Sequence, residues 1–328
     1  MQASLRALLA DILDYAGLFP PAGLDLDTAI RNHARYVREP EAWMLARFIC
    51  PVSKLDDLKP LAQELFDETA GLRLSVLGTT TESSGRFADQ VGKDLALMRD
   101  FAREMGTCAS VEAIEIRLPT DLTGASQVAD LLDGSPDLRS GQVPVFLEPP
   151  LGVDRAEVWP AIVQGVGNHN HRTVDGASPP VGVKLRCGGL DASAFPSVDE
   201  LAAAIWAAHE ARVPLKFTAG LHHPLRHYDA GMEARMHGFF NVFIGGVLVA
   251  SRAVCDLRTL RDILDTEDPT SFEFDEAFVG WRGKRTSTDS VIDGRQRAVT
   301  SLGSCSFDEP RDDLRALRLL PEPADLER

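Results

Sequence analysis

Val181-Gly-Val-Lys-Leu-Arg-Cys-Gly-Gly189 and, one unit later, Val213-Pro-Leu-Lys-Phe-Thr-Ala-Gly220 decide how this chain folds. Each is a short run of apolar and polar residues in alternation that ends at glycine, the pattern of a strand closing in a turn. Between them Ser197-Val-Asp-Glu200 precedes Leu201-Ala-Ala-Ala-Ile-Trp206. A serine followed three residues later by glutamate, ahead of an apolar run, is a capping box and opens a helix. The unit is therefore strand, helix, strand. A lysine stands in the middle of each strand, at Lys184 and Lys216. Burying a lysine in an apolar strand is costly unless it is paired or its pKa shifts. Two on adjacent strands suggest chemistry.

Working outward, similar runs begin at Ala16-Gly-Leu-Phe19, Ala46-Arg-Phe-Ile-Cys50 and Leu72-Arg-Leu-Ser-Val-Leu77. They continue at Ala113-Ile-Glu-Ile-Arg117, Val143-Pro-Val-Phe-Leu-Glu148 and Phe240-Asn-Val-Phe-Ile244. With the two quoted runs this makes eight, at intervals of roughly 30 residues, the rhythm of a repeated strand–helix unit. Eight such units predict a (β/α)8 TIM barrel, an α/β fold, over residues 1–265. A doubly wound sheet is the alternative, but it usually carries a glycine-rich first turn, which is missing here. Asp268-Pro269 breaks the pattern, so residues 266–328 read as a C-terminal extension packed on the barrel. That segment includes Gly303-Ser-Cys-Ser-Phe-Asp-Glu-Pro310, for which the sequence alone offers no mechanism.

The formal net charge of −15 argues against nucleic acid or an anionic membrane as a partner. No apolar run reaches the ~18 residues of a membrane span, and the N-terminus lacks the layout of a signal peptide. Five scattered cysteines without a Cys-x-x-Cys pair fit reduced thiols in a cytoplasmic protein. A homo-oligomer is expected, as for barrels generally.

Alternation along the strands assigns the charged residues a direction. Glu115 and Arg117 share a face opposite Ile114 and Ile116, Lys184 and Arg186 oppose Val183 and Leu185, and Lys216 opposes Leu215 and Phe217. The apolar partners face the helices, so the charged set faces the lumen together with Glu148. All six lie late in their strands, where barrel active sites are built. A plainer reading is an internal salt-bridge network that plugs the barrel. Six charges from four strands at one end favour a site.

After the expected eighth strand, Gly245-Gly246 leads into a helix, an arrangement that suits a phosphate held by backbone amides. Close packing of helix on strand is the other reading of that pair. His222 and His223 follow the seventh strand and could contact the substrate, transfer protons or bind a metal. No metal and no organic cofactor are expected, since neither a His-x-His at the first strand nor a nucleotide fingerprint is present.

A lysine becomes a nucleophile when burial or a neighbouring cation lowers its pKa, and its neutral amine then condenses with a carbonyl. The settings Lys184-Leu-Arg-Cys-Gly188 and Lys216-Phe-Thr-Ala-Gly220 resemble those of class I aldolases, most closely the deoxyribose-phosphate aldolase type. The resemblance covers about ten residues. It implies that Lys184 forms the Schiff base and that Lys216 lowers its pKa; on the reading of the residues themselves, Glu115 or Glu148 could move the protons, directly or through water. Arg117, Arg186, His222, His223, Gly245 and Gly246 would bind a small phosphorylated or carboxylated carbonyl compound. The chain departs from the pattern at Arg186, where that family has a small or hydroxylated residue, and at Glu115 and Arg117, where it has an aspartate. Two other readings stand beside it: an Mg-dependent, enolase-like lyase or isomerase, and a barrel that binds an anionic ligand without catalysis.

Overall fold

Residue alternation in the strands is realised as a closed ring in the computed structural model, which describes residues 1–122, 124–138, 142–172 and 178–322. Eight parallel strands form the barrel: β1 (Leu13–Tyr15), β2 (Leu45–Pro51), β3 (Leu72–Leu77), β4 (Ala109–Arg117), β5 (Val145–Glu148), β6 (Gly182–Arg186), β7 (Leu215–Thr218) and β8 (Val299–Ser304). Each pairs with its sequence neighbour, and β8 closes the ring on β1 through Leu13↔Leu302 and Asp14↔Gly303. The protein is a (β/α)8 barrel. Short strands outside the ring are named by their residues.

The helices in chain order are α1 (Ala3–Leu9), α2 (Leu26–Tyr36), α3 (Leu55–Leu65), α4 (Phe87–Met105), α5 (Ala125–Asp133) and α6 (Arg155–Arg172). They continue with α7 (Val198–Ala211), α8 (Phe239–Ala250), α9 (Leu257–Leu264), α10 (Thr288–Arg297) and α11 (Asp308–Ala316). Their starts follow from sequence. Ser197 accepts from the Glu200 amide and Glu200 accepts from the Ser197 amide, so the expected capping box opens α7. Asp25 and Asp256 cap α2 and α9 through Thr28 and Thr259.

Two strands lie elsewhere than expected. β1 is Leu13–Tyr15, just ahead of the expected Ala16–Phe19 run, which forms the turn that leaves the barrel. The larger correction concerns β8. Phe240–Ile244 is not a strand but part of α8, and every residue of that helix from Phe239 to Val249 is buried. An apolar run buried on all sides carries no period to tell helix from strand. The true β8, Val-Thr-Ser-Leu-Gly-Ser, is rich in small polar residues and lies inside the expected extension. The barrel thus ends beyond residue 265, and a boundary there falls within the connection from β7 to β8.

That connection is long. It holds the antiparallel pair His227–Asp229 and Ala234–Met236, then α8 and α9, then a three-stranded antiparallel sheet of Phe272–Phe274, Phe278–Trp281 and Lys284–Ser287, then α10. Helix α8 packs closely against the ring: Phe217 of β7 meets Phe243 at 5.5 Å between ring centroids. A Cβ at Gly246 would lie 2.4 Å from Val299 Cγ1. After β8, α11 runs back over the mouth, and its Asp308 accepts from the Tyr36 hydroxyl at 2.8 Å.

Candidate active site

Register brings the two lysines side by side. Lys184 on β6 and Lys216 on β7 are paired Cα partners, and so are Arg117 on β4 and Glu148 on β5. Their side chains point into the lumen as the alternation requires, and there they meet carboxylates from three strands.

Glu115 is the junction. Its Oε1 lies 2.5 Å from Lys216 Nζ and its Oε2 lies 2.6 Å from Lys184 Nζ. Lys184 Nζ also lies 2.6 Å from Glu148 Oε2. Glu148 in turn accepts at Oε1 from Arg117 Nη2 at 3.0 Å and from Arg186 Nε at 3.1 Å. On the other side Lys216 Nζ lies 2.7 Å from Asp14 Oδ2 on β1, which also accepts from the Ser301 hydroxyl of β8 at 2.7 Å. Ser75 of β3 donates to Glu115 Oε1 at 2.5 Å and accepts from Lys216 at 3.1 Å. Acid and base thus alternate across the barrel from Asp14 through Lys216, Glu115, Lys184 and Glu148 to the arginine pair.

The electrostatics follow from this alternation. Burial alone would raise the Glu148 carboxyl, but the Lys184 ammonium, with Arg186 and Arg117, outweighs it and brings its pKa down to about 2. Glu115 is likewise held well below the usual carboxylate range by Lys184 and Lys216 against the opposing effect of burial. For Lys184 burial acts to lower the pKa, but Glu115 and Glu148 prevail and raise it. The resting amine is therefore an ammonium. The expectation that its neighbour lowers its pKa is overturned at rest: Glu115 lies between the two lysines and outweighs their repulsion.

The pair is not equivalent in access. A cavity of about 860 Å³ opens at the C-terminal ends of the strands, and Lys184, Glu115, Glu148, Arg117 and Arg186 line it. Lys216 does not line it and is fully buried. His222 and His223 line the same cavity from the β7 exit and are held by α11, with His222 Nδ1 at 3.1 Å from Glu309 and His223 Nδ1 at 2.6 Å from Asp313.

Gly245 and Gly246 do not join the site. They lie within α8, both buried, and a Cβ there would strike Leu260 or Val299. Their role is close approach of helix to strand, and their amides are committed to the helix interior, so they form no anion cradle. The cysteines at the strand ends, Cys50 and Cys187, are buried, and burial pushes both thiols up to about 12. Cys305, just beyond β8, lines the cavity. Among the described residues no group of three His, Cys, Asp or Glu side chains converges to hold a metal ion.

Reading the sequence missed Asp14, Ser75 and Ser301. A lone aspartate flanked by Leu13 and Tyr15 signals a buried acid that needs a cation, and it would have pointed to Lys216. The two serines look like ordinary strand residues and gave no such signal.

No protein-family model matches the chain, and no curated sequence matches it significantly. Among solved structures the chain is similar to a tetrameric deoxyribose phosphate aldolase from Aeropyrum pernix, at 11% identity and a TM-score of 0.44 over 96% of this chain and 98% of that one. It is also similar to mandelate oxidase, at 14% identity and a TM-score of 0.30 over 91% and 85%. The barrel architecture rests on the strand order, and the chemistry on the site itself.

Proposed function

We propose that this barrel is a lyase of the class I aldolase kind, acting on an anionic carbonyl compound through a Schiff base on Lys184. The observation that carries the reading is the placing of the Lys184 amine at the floor of the cavity, 2.6 Å from each of two carboxylates, with the second lysine sealed behind it. A nucleophile needs access and a partner that can take its proton, and Lys184 has both.

The first step is a proton transfer, because the amine rests charged. Arg117 and Arg186 hold Glu148 Oε1. A substrate anion that engages those guanidiniums draws them away from Glu148, and the carboxylate then binds a proton more readily. Lys184 gives up its proton to Glu148, and the neutral nitrogen adds to the carbonyl carbon. Glu148 returns the proton to the carbinolamine oxygen, which leaves as water and creates an iminium ion. Cleavage of the bond between the α and β carbons sends its electron pair towards that iminium and leaves an enamine. The hydroxyl on the β carbon gives its proton to Glu148 or to His222 at the rim and becomes the carbonyl of the departing product. Protonation of the enamine carbon and hydrolysis release the second product and restore the amine. Lys216, ion-paired with Asp14 and Glu115, shares Glu115 with Lys184 and weakens that carboxylate's hold on it.

The Mg-dependent reading is less well supported, because Glu115 and Glu148 are each already held by cationic side chains. The test is reductive trapping: the protein is incubated with a panel of 2-oxo acids and aldehydes and sodium cyanoborohydride, and its intact mass is measured. One adduct per chain, absent from Lys184→Met, supports the lyase. Tight anion binding with no adduct supports the non-catalytic barrel.

A further inference from the structure

We infer that the ligand of this cavity is amphipathic: a carboxylate that docks on Arg117 and Arg186, joined to an apolar chain or ring that extends towards the rim. The volume argues first. About 860 Å³ is in the upper range for pockets that enclose drug-sized molecules, far more than a three- or four-carbon acid fills. Such a space accommodates a ligand with a substantial part beyond its carboxylate.

The distribution of polarity argues next. The β4, β5 and β6 wall carries Glu115, Arg117, Glu148, Lys184 and Arg186, with Arg117 and Arg186 converging on one oxygen of Glu148, while Arg155, Asp191, Asp229 and Glu309 line the cavity from outside that wall. Two forks on a single oxygen leave N–H groups unspent, and the buried Arg117 Nε has no hydrogen-bond partner. Planar, bidentate guanidinium suits a carboxylate. The exits of β1, β5 and β6 add a second character to the same cavity: Phe19, Leu151, Val153, Leu190 and Phe195 line it, with Met232 from the β7–β8 connection. Leu190 is 70% exposed and Leu151 53%, and with the other apolar lining residues they form an accessible apolar patch at the rim. Glycines flank both: Gly188-Gly189 precedes Leu190, and Gly152 with φ of +74° follows Leu151. A phosphate head is less well served, since the first turn of α11 at the same mouth is acidic, with Asp308 and Glu309.

The carbonyl of the ligand rests on the Schiff-base reading; the head and tail rest on the cavity alone. The test therefore uses ligands that cannot form a Schiff base. Binding of acetate, butyrate, hexanoate and octanoate to the full chain is measured by calorimetry, with octyl phosphate for comparison. Affinity is expected to rise about threefold to fourfold for each added CH2 until the cavity is filled. Leu151→Ser with Leu190→Ser, both exposed positions, is expected to flatten that rise while leaving acetate binding unchanged. Octanoate is expected to bind more tightly than octyl phosphate. An affinity independent of chain length, or a chain-length dependence that survives the double variant, overturns the apolar tail. Tighter binding of the phosphate overturns the carboxylate head. If octanoate binds as expected while no 2-oxo acid can be trapped, the amphipathic ligand stands and the Schiff base falls. If short 2-oxo acids are trapped while the carboxylate series is flat, the reverse holds.

Discussion

Lys184 and Lys216 share one carboxylate: Glu115 reaches the first with Oε2 at 2.6 Å and the second with Oε1 at 2.5 Å. This bridge explains how two buried lysines stand side by side in one barrel. Bringing ammonium groups together in a low-dielectric interior is unfavourable until an anion lies between them. It also separates their duties, since only Lys184 faces the cavity.

Removing the sealed partner should therefore act on stability before chemistry. Lys216→Met leaves Asp14 and Glu115 buried with a cation missing, and breaking such a network costs about 3–5 kcal/mol. Urea denaturation should record that loss. Combining it with Asp14→Asn should recover part of it, because the uncompensated charge is gone. A Lys216→Met protein as stable as the parent would show that the bridge is not needed to hold the pair.

The pH dependence has a definite sign. Glu148 has its pKa depressed from the ordinary 4.5 to about 2, and Glu115 is shifted the same way. Their contribution to stability is complete above about pH 4.5 and is lost as pH falls towards about 2. Lys184 is shifted upward from 10.5, so its contribution is complete below that value and lost as pH rises through its higher folded pKa. Thermal melting followed from pH 2 to 11 should show a plateau for this network between those limits. Lys184→Met should move the acid limb to higher pH, and an acid limb that stays in place would contradict the assignment.

Arg117 and Arg186 should govern binding of the acid head. Charged hydrogen bonds contribute about 1.5–3 kcal/mol, so Arg186→Gln should weaken carboxylate binding about tenfold or more. The same change removes one cation from Glu148 Oε1 and should raise that carboxyl's pKa. Calorimetric titration against octanoate checks the first effect. Unchanged affinity would remove Arg186 from the anion site.

Gly246 separates packing from ligand binding. Gly246→Ala places a methyl 2.4 Å from Val299 Cγ1 and should destabilise the fold by about 1–3 kcal/mol through overpacking. Anion affinity at a temperature where the variant is folded should not change. A loss of affinity without a loss of stability would return the glycine pair to a binding role.

Most of this architecture was legible in the chain. Strands β2 to β7 announced themselves as short apolar runs at regular intervals, β6 and β7 also through their glycine ends, and alternation alone sent Glu115, Arg117, Lys184, Arg186 and Lys216 to one lumen. The failures have a physical pattern. Phe239–Val249 is apolar throughout, and a helix buried on all sides reads like a strand when only composition is visible. Val299–Ser304 is a buried strand that carries Ser301 towards Asp14, so its polar residues hid it. Truncating the chain after residue 298 should leave the β1 and β7 edges unpaired and yield a protein without cooperative unfolding.

The most direct test of the central claim is to locate the adduct. After cyanoborohydride reduction with 2-oxooctanoate, proteolysis and tandem mass spectrometry should place a single modification on Lys184, with Lys216 unmodified. Modification of Lys216 instead, or no modified lysine with any carbonyl acid or aldehyde, would contradict the account.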